Sequence, residues 1–361
     1  MWSYTWRVTA RGTDWGLAAL VASLIATGVL TLFEGSSHDA WVFAAHDALG
    51  IAIALLVVVK LGRVWSRIHA LERWDNRSAA GVSAAALVIA TLLSGWLWSA
   101  GANITIAGYS LLGWHDALGA VLAVLVVAHM VLRAKPLRGR DVLHRRQFLT
   151  AAGIGAGSLL AWRSQRPLLA LFELRGANRR FTGSYEAGSF AGNAFPTTSW
   201  VADDPRPIAL DGYRLRVTGL VATELELALA DLPPRDELVA TLDCTGGFYS
   251  TQRWRGTLLS GVLEQAPPDR NRARHISVVS HTGYRWSFAL ADASRLLLAT
   301  HVGDELLSHE HGAPMRLVAP GSRGFQWVKW VQRIEVLEEP DYGAPASTVW
   351  SSFTRAGRGA A

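Results

Sequence analysis

The chain has 361 residues, a formal net charge of +6, and a residue content that is half hydrophobic, too apolar for an ordinary soluble protein. Its arginines fall in short loops between apolar runs rather than on one folded face, which excludes nucleic acid as the natural partner and points to membrane lipid. Its one cysteine, Cys244, excludes a disulfide framework.

Four apolar runs, 15–33, 41–61, 79–98 and 111–132, reach the roughly 20 residues that cross a bilayer. Arg7 and Arg11 precede the first run. Arg63, Arg67, Arg73 and Arg77 follow the second, and Arg133, Lys135, Arg138, Arg140, Arg145 and Arg146 follow the fourth. The loops 34–39 and 99–110 carry neither Lys nor Arg. Basic loops stay cytoplasmic, so the N-terminus and the end of the fourth run are expected inside. Trp41, Trp96, Trp98 and Trp114 then form an aromatic belt at the outer interface.

The helices contain a repeat. His46-Asp-Ala-Leu-Gly50 returns as His115-Asp-Ala-Leu-Gly119, and Thr27-Gly-Val-Leu30 is echoed by Ser94-Gly-Trp-Leu97. A duplicated two-helix unit places His46 and His115 at one depth. Ionisable residues inside a span are costly and mark function. Two neutral imidazoles facing each other can ligate a haem iron from both sides; the plain alternative is a pair of interfacial polar caps. His129 follows His115 by 14 residues, a spacing that resembles two-haem cytochrome b helices and makes His129 a candidate ligand of a second haem. The matching position on the second helix is Lys60, and His69 substitutes only if that helix extends into the loop. One outer haem b is therefore expected.

A fifth run, 148–162, is short and follows Arg145-Arg-Gln-Phe-Leu149. This pattern resembles a twin-arginine export signal, whose alternative is an ordinary basic flank. No small-residue cleavage site follows, so a fifth, anchoring helix is expected. If it does not cross, the domain behind it faces the cytoplasm.

From about residue 165 the texture becomes β-rich. Alternating segments at 213–218, 275–280 and 329–337, a short helix at 258–265, and Gly, Pro and Asp turns describe an α+β domain. The tail after Tyr342 reads as loose.

The block Ala240-Thr-Leu-Asp-Cys-Thr-Gly-Gly247, followed by Gln252-Arg-Trp-Arg-Gly256, ends a strand on a thiol before a Gly-rich turn. A soft thiolate there suits a metal that already carries dithiolene sulfurs. With it, in order, stand Gly192-Asn-Ala-Phe-Pro196, Tyr213-Arg-Leu-Arg-Val-Thr-Gly-Leu220, Ser280-His-Thr-Gly-Tyr284, His311-Gly-Ala-Pro-Met-Arg-Leu-Val-Ala-Pro320 and Gly324-Phe-Gln-Trp-Val-Lys-Trp330. Over about 155 residues these stretches resemble the sulfite-oxidase family of molybdopterin enzymes, which includes bacterial protein-methionine-sulfoxide reductases.

The resemblance implies Cys244 as the thiolate on molybdenum, Asn193 near the pterin, and Ser280 or Thr282 as a hydroxyl touching the cofactor. It implies Arg316, Trp327, Val328 and Lys329 around the cofactor's phosphate end, with His311 beside them where the reductase branch has Asn. A phosphate suits a fixed guanidinium and an ammonium. Arg255 and Tyr284 are candidates for handling the substrate beside Cys244, drawn from a wider set of Arg253, His281 and Tyr249.

The expected architecture is an all-α transmembrane bundle of four helices (1–140), a twin-arginine-like motif with a fifth membrane helix (141–164), an α+β molybdopterin domain (165–340) and a tail (341–361). The expected protein is a multi-pass enzyme of the cytoplasmic membrane. Its extracytoplasmic catalytic domain carries molybdenum-molybdopterin, and its haem exchanges electrons between a small-molecule substrate and a quinone or other carrier. A non-catalytic molybdopterin-binding membrane protein is the alternative from another class.

Overall fold

The computed structural model describes residues 9–69, 76–133, 136, 145–199, 203 and 205–347. The chain divides into two compact units, residues 1–183 and 184–361.

The first unit is helical. α1 (Ala10–Phe33), α2 (Ala40–Ile68), α3 (Asn76–Ser99) and α4 (Leu111–Arg133) cover the four apolar runs and extend beyond them. All four are long and apolar enough to cross a membrane. Thr9 starts α1 by accepting the Gly12 N–H at 3.0 Å, which satisfies one of the donors a helix start leaves open. α1 packs on α2, and α3 on α4, as the repeat requires. A two-residue hairpin, β1 (Thr105–Ile106) with β2 (Tyr109–Ser110), joins the second pair.

The fifth helix departs from expectation. α5 (Arg145–Leu171) forms and is longer than the apolar run that predicts it. Arg163, Gln165 and Arg166 interrupt its second half, and it is not among the helices apolar enough to span. It packs against α2. The anchoring role and the export motif, of which the side chains of 145–147 lie outside the described residues, are thus left to the sequence pattern.

The boundary also moves, from about 165 to 183. The segment after α5 returns to the end of α3. Gly176 donates its N–H to the Ala100 carbonyl, so closely that a Cβ there would sit 2.1 Å from the Ser99 carbonyl oxygen. The Arg179 guanidinium lies 3.9 Å over the Trp98 ring and donates to Asn103 Oδ1 at 2.7 Å.

The second unit holds β3 (Tyr185–Glu186), β4 (Leu215–Gly219), β5 (Leu225–Leu227), β6 (Asp236–Asp243), β7 (Phe248–Leu258), α6 (Leu259–Gln265), β8 (His275–Ser280), β9 (Arg285–Ala289), β10 (Leu297–Val302), β11 (Glu305–Leu306), β12 (Arg316–Val318) and β13 (Val331–Leu337). One sheet runs β11-β10-β7-β3, with β12 also on β10 and β6 also on β7; the other runs β5-β4-β13-β8-β9. Trp254, Leu297, Leu298 and Leu317 of the first sheet, and Leu215, Val217, Ile276 and Val336 of the second, are buried in one core. Every second residue of β7 is buried, from Phe248 through Trp254 to Gly256, the period-2 signature of a sheet covered on one face.

The β-rich reading holds, with shifted strand ends. Trp330 has φ +51, a conformation no strand contains, so the last strand begins at Val331 rather than 329. Tyr213 turns inward and donates to the Val331 carbonyl. The tail is ordered further than expected: Ser347 is fully buried and binds the Arg285 backbone through its hydroxyl.

One ion pair fixes the end of β6. The Arg323 guanidinium donates to Asp243 Oδ1 at 2.7 Å, both side chains being at most 4% exposed, and Ser184 donates to the same oxygen at 2.7 Å. Breaking a buried pair from one side strands a charge, costing about 3–5 kcal/mol, whereas apolar replacement of both partners is often neutral. Arg323→Met is therefore expected to lower stability by about that amount and Asp243→Leu/Arg323→Met by less, read as unfolding midpoints of the detergent-solubilised chain. Equal losses would show that the pair itself is dispensable.

Candidate functional site

Cys244 stands one residue past β6, where a four-residue turn closes on β7. Its N–H donates to the Phe248 carbonyl at 2.8 Å, and its own carbonyl accepts the Gly247 N–H at 3.0 Å. Gly247 has φ +99, which an L side chain rarely tolerates. The turn aims the Gly246 N–H at Cys244 Sγ, 3.3 Å away, and Thr198 Oγ1 lies 3.7 Å from the same sulfur. A Cβ on Gly324 would sit 3.1 Å from Cys244 Cα, so the 320s loop lies directly against the thiol-bearing turn.

The sulfur opens into a pocket of about 110 Å3. Thr198, Ser280, Tyr284, His311, Arg316 and Lys329 line it with Cys244. Arg316, at the start of β12, is 2% exposed. Its Nη1 donates to the His311 carbonyl at 2.9 Å, while its Nε is buried with no acceptor among the described residues. The rings of Trp254 and Trp327 lie 5.1 and 5.8 Å from the guanidinium. Burial pushes Arg316 down to about 9, against an opposing pull from Cys244. Lys329 is pushed down to about 8 by burial and then by Arg316; it donates to the Glu310 carbonyl at 2.7 Å and to Ser199 Oγ at 3.2 Å. Both remain cationic at neutral pH. Gly312, at φ +108, lets the 311 loop pass between them: a Cβ there would meet Arg316 Cβ at 3.0 Å and Lys329 Cβ at 3.1 Å.

His311 is buried, with Nε2 3.1 Å from the Phe195 carbonyl oxygen and Nδ1 2.8 Å from the Ser308 hydroxyl. A carbonyl only accepts, so Nε2 carries the proton and Nδ1 accepts. Burial, followed by Arg316, lowers His311 to about 4. Tyr284 donates to the Phe325 carbonyl at 2.5 Å; burial, then Asp203, raises its pKa. Its proton is committed to the loop, and it presents only lone pairs to the pocket.

Four expected site residues are placed elsewhere. Arg255 alternates to the face of β7 opposite buried Trp254, where it lies 3.9 Å from Asp304, and it does not line the pocket. Asn193 donates to Glu305 and the Leu306 carbonyl and accepts the Ser308 N–H; it ties two loops behind the pocket rather than facing it. Thr282 and Val328 are buried behind the lining: Thr282 meets Ser280 Oγ at 3.2 Å, and the Val328 carbonyl accepts the Leu317 N–H. Trp327 does line the pocket. Sequence reasoning missed Thr198, Ser199 and Asp203, which line it from a segment with no strand or helix pattern; their one signal is their place just after Gly192-Asn-Ala-Phe-Pro196.

A second constellation lies in the helical unit. The His46 and His115 rings are 6.1 Å apart between centroids, at 80°. His46 Nδ1 is 3.0 Å from Thr27 Oγ1, and His115 Nδ1 is 2.9 Å from the Thr91 carbonyl oxygen. The repeated glycines make the room: a Cβ on Gly28 would sit 3.4 Å from the His46 ring, and one on Gly95 only 2.8 Å from the His115 ring. The inner site finds no such support. Lys60, where a matching imidazole would stand, pairs with Asp14 at 2.9 Å, and His69 stacks on Trp65 at 4.3 Å. His129 is half-buried further along α4.

Comparison with known proteins places the pocket in a class. Residues 202–344 match the family model of the oxidoreductase molybdopterin binding domain. Mitochondrial sulfite oxidase of Rattus norvegicus is 34% identical over 165 residues, 37% of this chain and 30% of that protein. The protein-methionine-sulfoxide reductase catalytic subunit MsrP of Gluconobacter oxydans (strain 621H) is 29% identical over 180 residues, 44% of this chain and 55% of that protein. The solved sulfane dehydrogenase SoxCD of Paracoccus pantotrophus is 26% identical, with a TM-score of 0.36, over 37% of this chain and 40% of that one. The chain thus spans about a third to a half of the length of these relatives. The family-model match and the sequence relatives support an oxidoreductase whose C-terminal part is a molybdopterin-binding domain of the sulfite-oxidase type.

The His311 shift sets a pH dependence. The imidazole is neutral in the fold down to about 4, against an ordinary 6.5. Between those values the unfolded chain binds the extra proton, so the stability from His311 is complete above 6.5 and is lost as pH falls through that window. His311→Gln is expected to flatten that part of the stability–pH curve, measured by thermal unfolding from pH 7 to 4; an unchanged slope would remove His311 as its source.

Proposed function

We propose that the chain is a membrane-bound molybdopterin-dependent oxidoreductase that moves an oxygen atom to or from a small substrate outside the cytoplasm. Its electrons pass through haem b to or from a quinone or another carrier. The observation that carries this reading is the placement of Cys244 Sγ and the buried, incompletely paired Arg316 guanidinium in one pocket. Arg316 and Lys329 supply charge for the cofactor's phosphate end, and Arg316 Nε supplies a donor that no described residue uses. Among the described residues, no group of three or more His, Cys, Asp or Glu could hold a metal ion. A metal on Cys244 therefore takes most of its ligands from outside the chain, as a dithiolene cofactor provides. When bound, molybdenum supplies the two-electron change that oxygen-atom transfer needs.

The chain's own residues do the rest. The Gly246 N–H stabilises negative charge on Sγ. His311, neutral and held by two hydrogen bonds, positions the loop that carries Arg316. Tyr284 and Ser280 present oxygen atoms to the reacting space. Asp203 gives the lining a buried acidic residue opposite the two cations.

In the helical unit, metal–imidazole bonds of about 2.0–2.1 Å fit a ring separation near 6 Å, which supports one iron between His46 and His115. His129 is not assigned a haem. The basic loops after α2 and α4 support an inside N-terminus; the twin-arginine pattern and the uncharged first part of α5, 148–162, support an exported catalytic domain, although α5 as a whole is less apolar than the four spanning helices, and without its crossing the domain faces the cytoplasm.

The test is metal and haem analysis of the detergent-purified chain beside Cys244→Ala and His115→Ala. Molybdenum near one per chain is expected in the first and third proteins, with its thiolate signature lost in Cys244→Ala. Bis-imidazole haem absorbance is expected in the first two and absent in His115→Ala. Matured protein holding neither molybdenum nor pterin would overturn the enzyme reading; molybdenum without haem would leave the helices as anchor alone.

A further inference from the structure

The two imidazoles of the helical unit are held in the same tautomer by unlike acceptors. The Thr91 carbonyl can only accept, so His115 Nδ1 must carry its proton. At His46 the neighbour is a hydroxyl, which can donate or accept. Thr27 Oγ1, however, lies 2.8 Å from the Ser23 carbonyl and 3.1 Å from the Leu24 carbonyl. Its single proton is committed to its own helix backbone, so the oxygen is left to accept, and His46 Nδ1 must donate at 3.0 Å. Both rings therefore keep an Nε2 lone pair available as a metal ligand.

We infer that Thr27 is the positioning residue of one axial ligand: its hydroxyl fixes the His46 tautomer and ring angle and raises the electron density at Nε2. This inference rests on the haem reading of His46 and His115. The arrangement is lopsided: His115 Nδ1 meets a main-chain carbonyl at 2.9 Å, whereas His46 meets the Thr27 hydroxyl at 3.0 Å in addition to the Leu24 backbone. One conservative substitution can thus remove the side-chain partner of a single ligand while leaving both histidines and the Leu24 carbonyl in place. Loss of such a partner typically weakens metal binding by about 10–100-fold. An imidazole without it is also a poorer donor and stabilises the oxidised iron less, so the midpoint potential becomes more positive.

The experiment is a redox titration and haem quantitation of the full-length, detergent-purified chain carrying Thr27→Val, Thr27→Ser or Thr31→Val. Thr31 sits one turn further along α1, and its hydroxyl bonds only the Gly28 carbonyl, at 2.6 Å. Expected are reduced haem retention and a more positive midpoint in Thr27→Val, with wild-type behaviour in Thr27→Ser and Thr31→Val. Should Thr27→Val fail to fold, Thr27→Ala carries the same expectation. A Thr27→Val potential and haem content equal to those of the wild type would overturn the inference while leaving the haem in place. So would a shift in Thr27→Ser as large as that in Thr27→Val. A wild type that holds no haem would overturn the haem reading itself.

Discussion

The second unit is organised around a fully buried guanidinium. Among the described residues, the neighbours of Arg316 include a carbonyl, two indole rings and, across the pocket, a thiol. A buried charge is tolerated only when surrounding groups or a ligand compensate for the lost water. Much of the local architecture serves that end. Gly312 lets the 311 loop approach close enough for its carbonyl to reach the guanidinium. His311 stays neutral beside it rather than adding a second positive charge. The unused Nε is the remaining deficit, and an anionic cofactor is the natural group to meet it.

Cys244 depends on a different support. The turn that aims it is anchored from behind by Asp243, and Asp243 is anchored by Arg323 and Ser184. The proposed metal ligand therefore sits between a buried ion pair on one side and a buried cation on the other. The ion pair contributes rigidity where the sheet ends, and the cation contributes electrostatics where the pocket begins.

The helical unit meets the same problem in an apolar setting. Its polar side chains have identifiable partners: Lys60 with Asp14, Arg63 with Thr13, and each imidazole with a threonine oxygen from the neighbouring helix. The repeat visible in the sequence pairs a small residue with each histidine. The structure gives that pairing its reason, since Gly28 and Gly95 stand where a larger side chain would collide with or crowd the rings.

The sequence by itself determined the four apolar helices, the duplicated histidines, the β-rich second half and the motif carrying Cys244, because each is written in local periodicity or in a short ordered stretch. It also marked Arg316, Lys329, His311, Ser280 and Trp327 as neighbours of one pocket. Only the tertiary structure decided which face of a strand looks into that pocket. Period-2 alternation puts Arg253 and Arg255 together, opposite Trp254, yet it does not say which side the second sheet covers. Covering the Trp254 side turned Arg255 outward. Asn193 likewise has the chemistry of a ligand and is consumed by the fold, its amide divided among Glu305 and Leu306 of β11 and Ser308 just beyond it. The reach of α5, the close contact at Gly176 and the burial of Ser347 were settled the same way, by contacts between segments far apart in the chain, which no local pattern encodes.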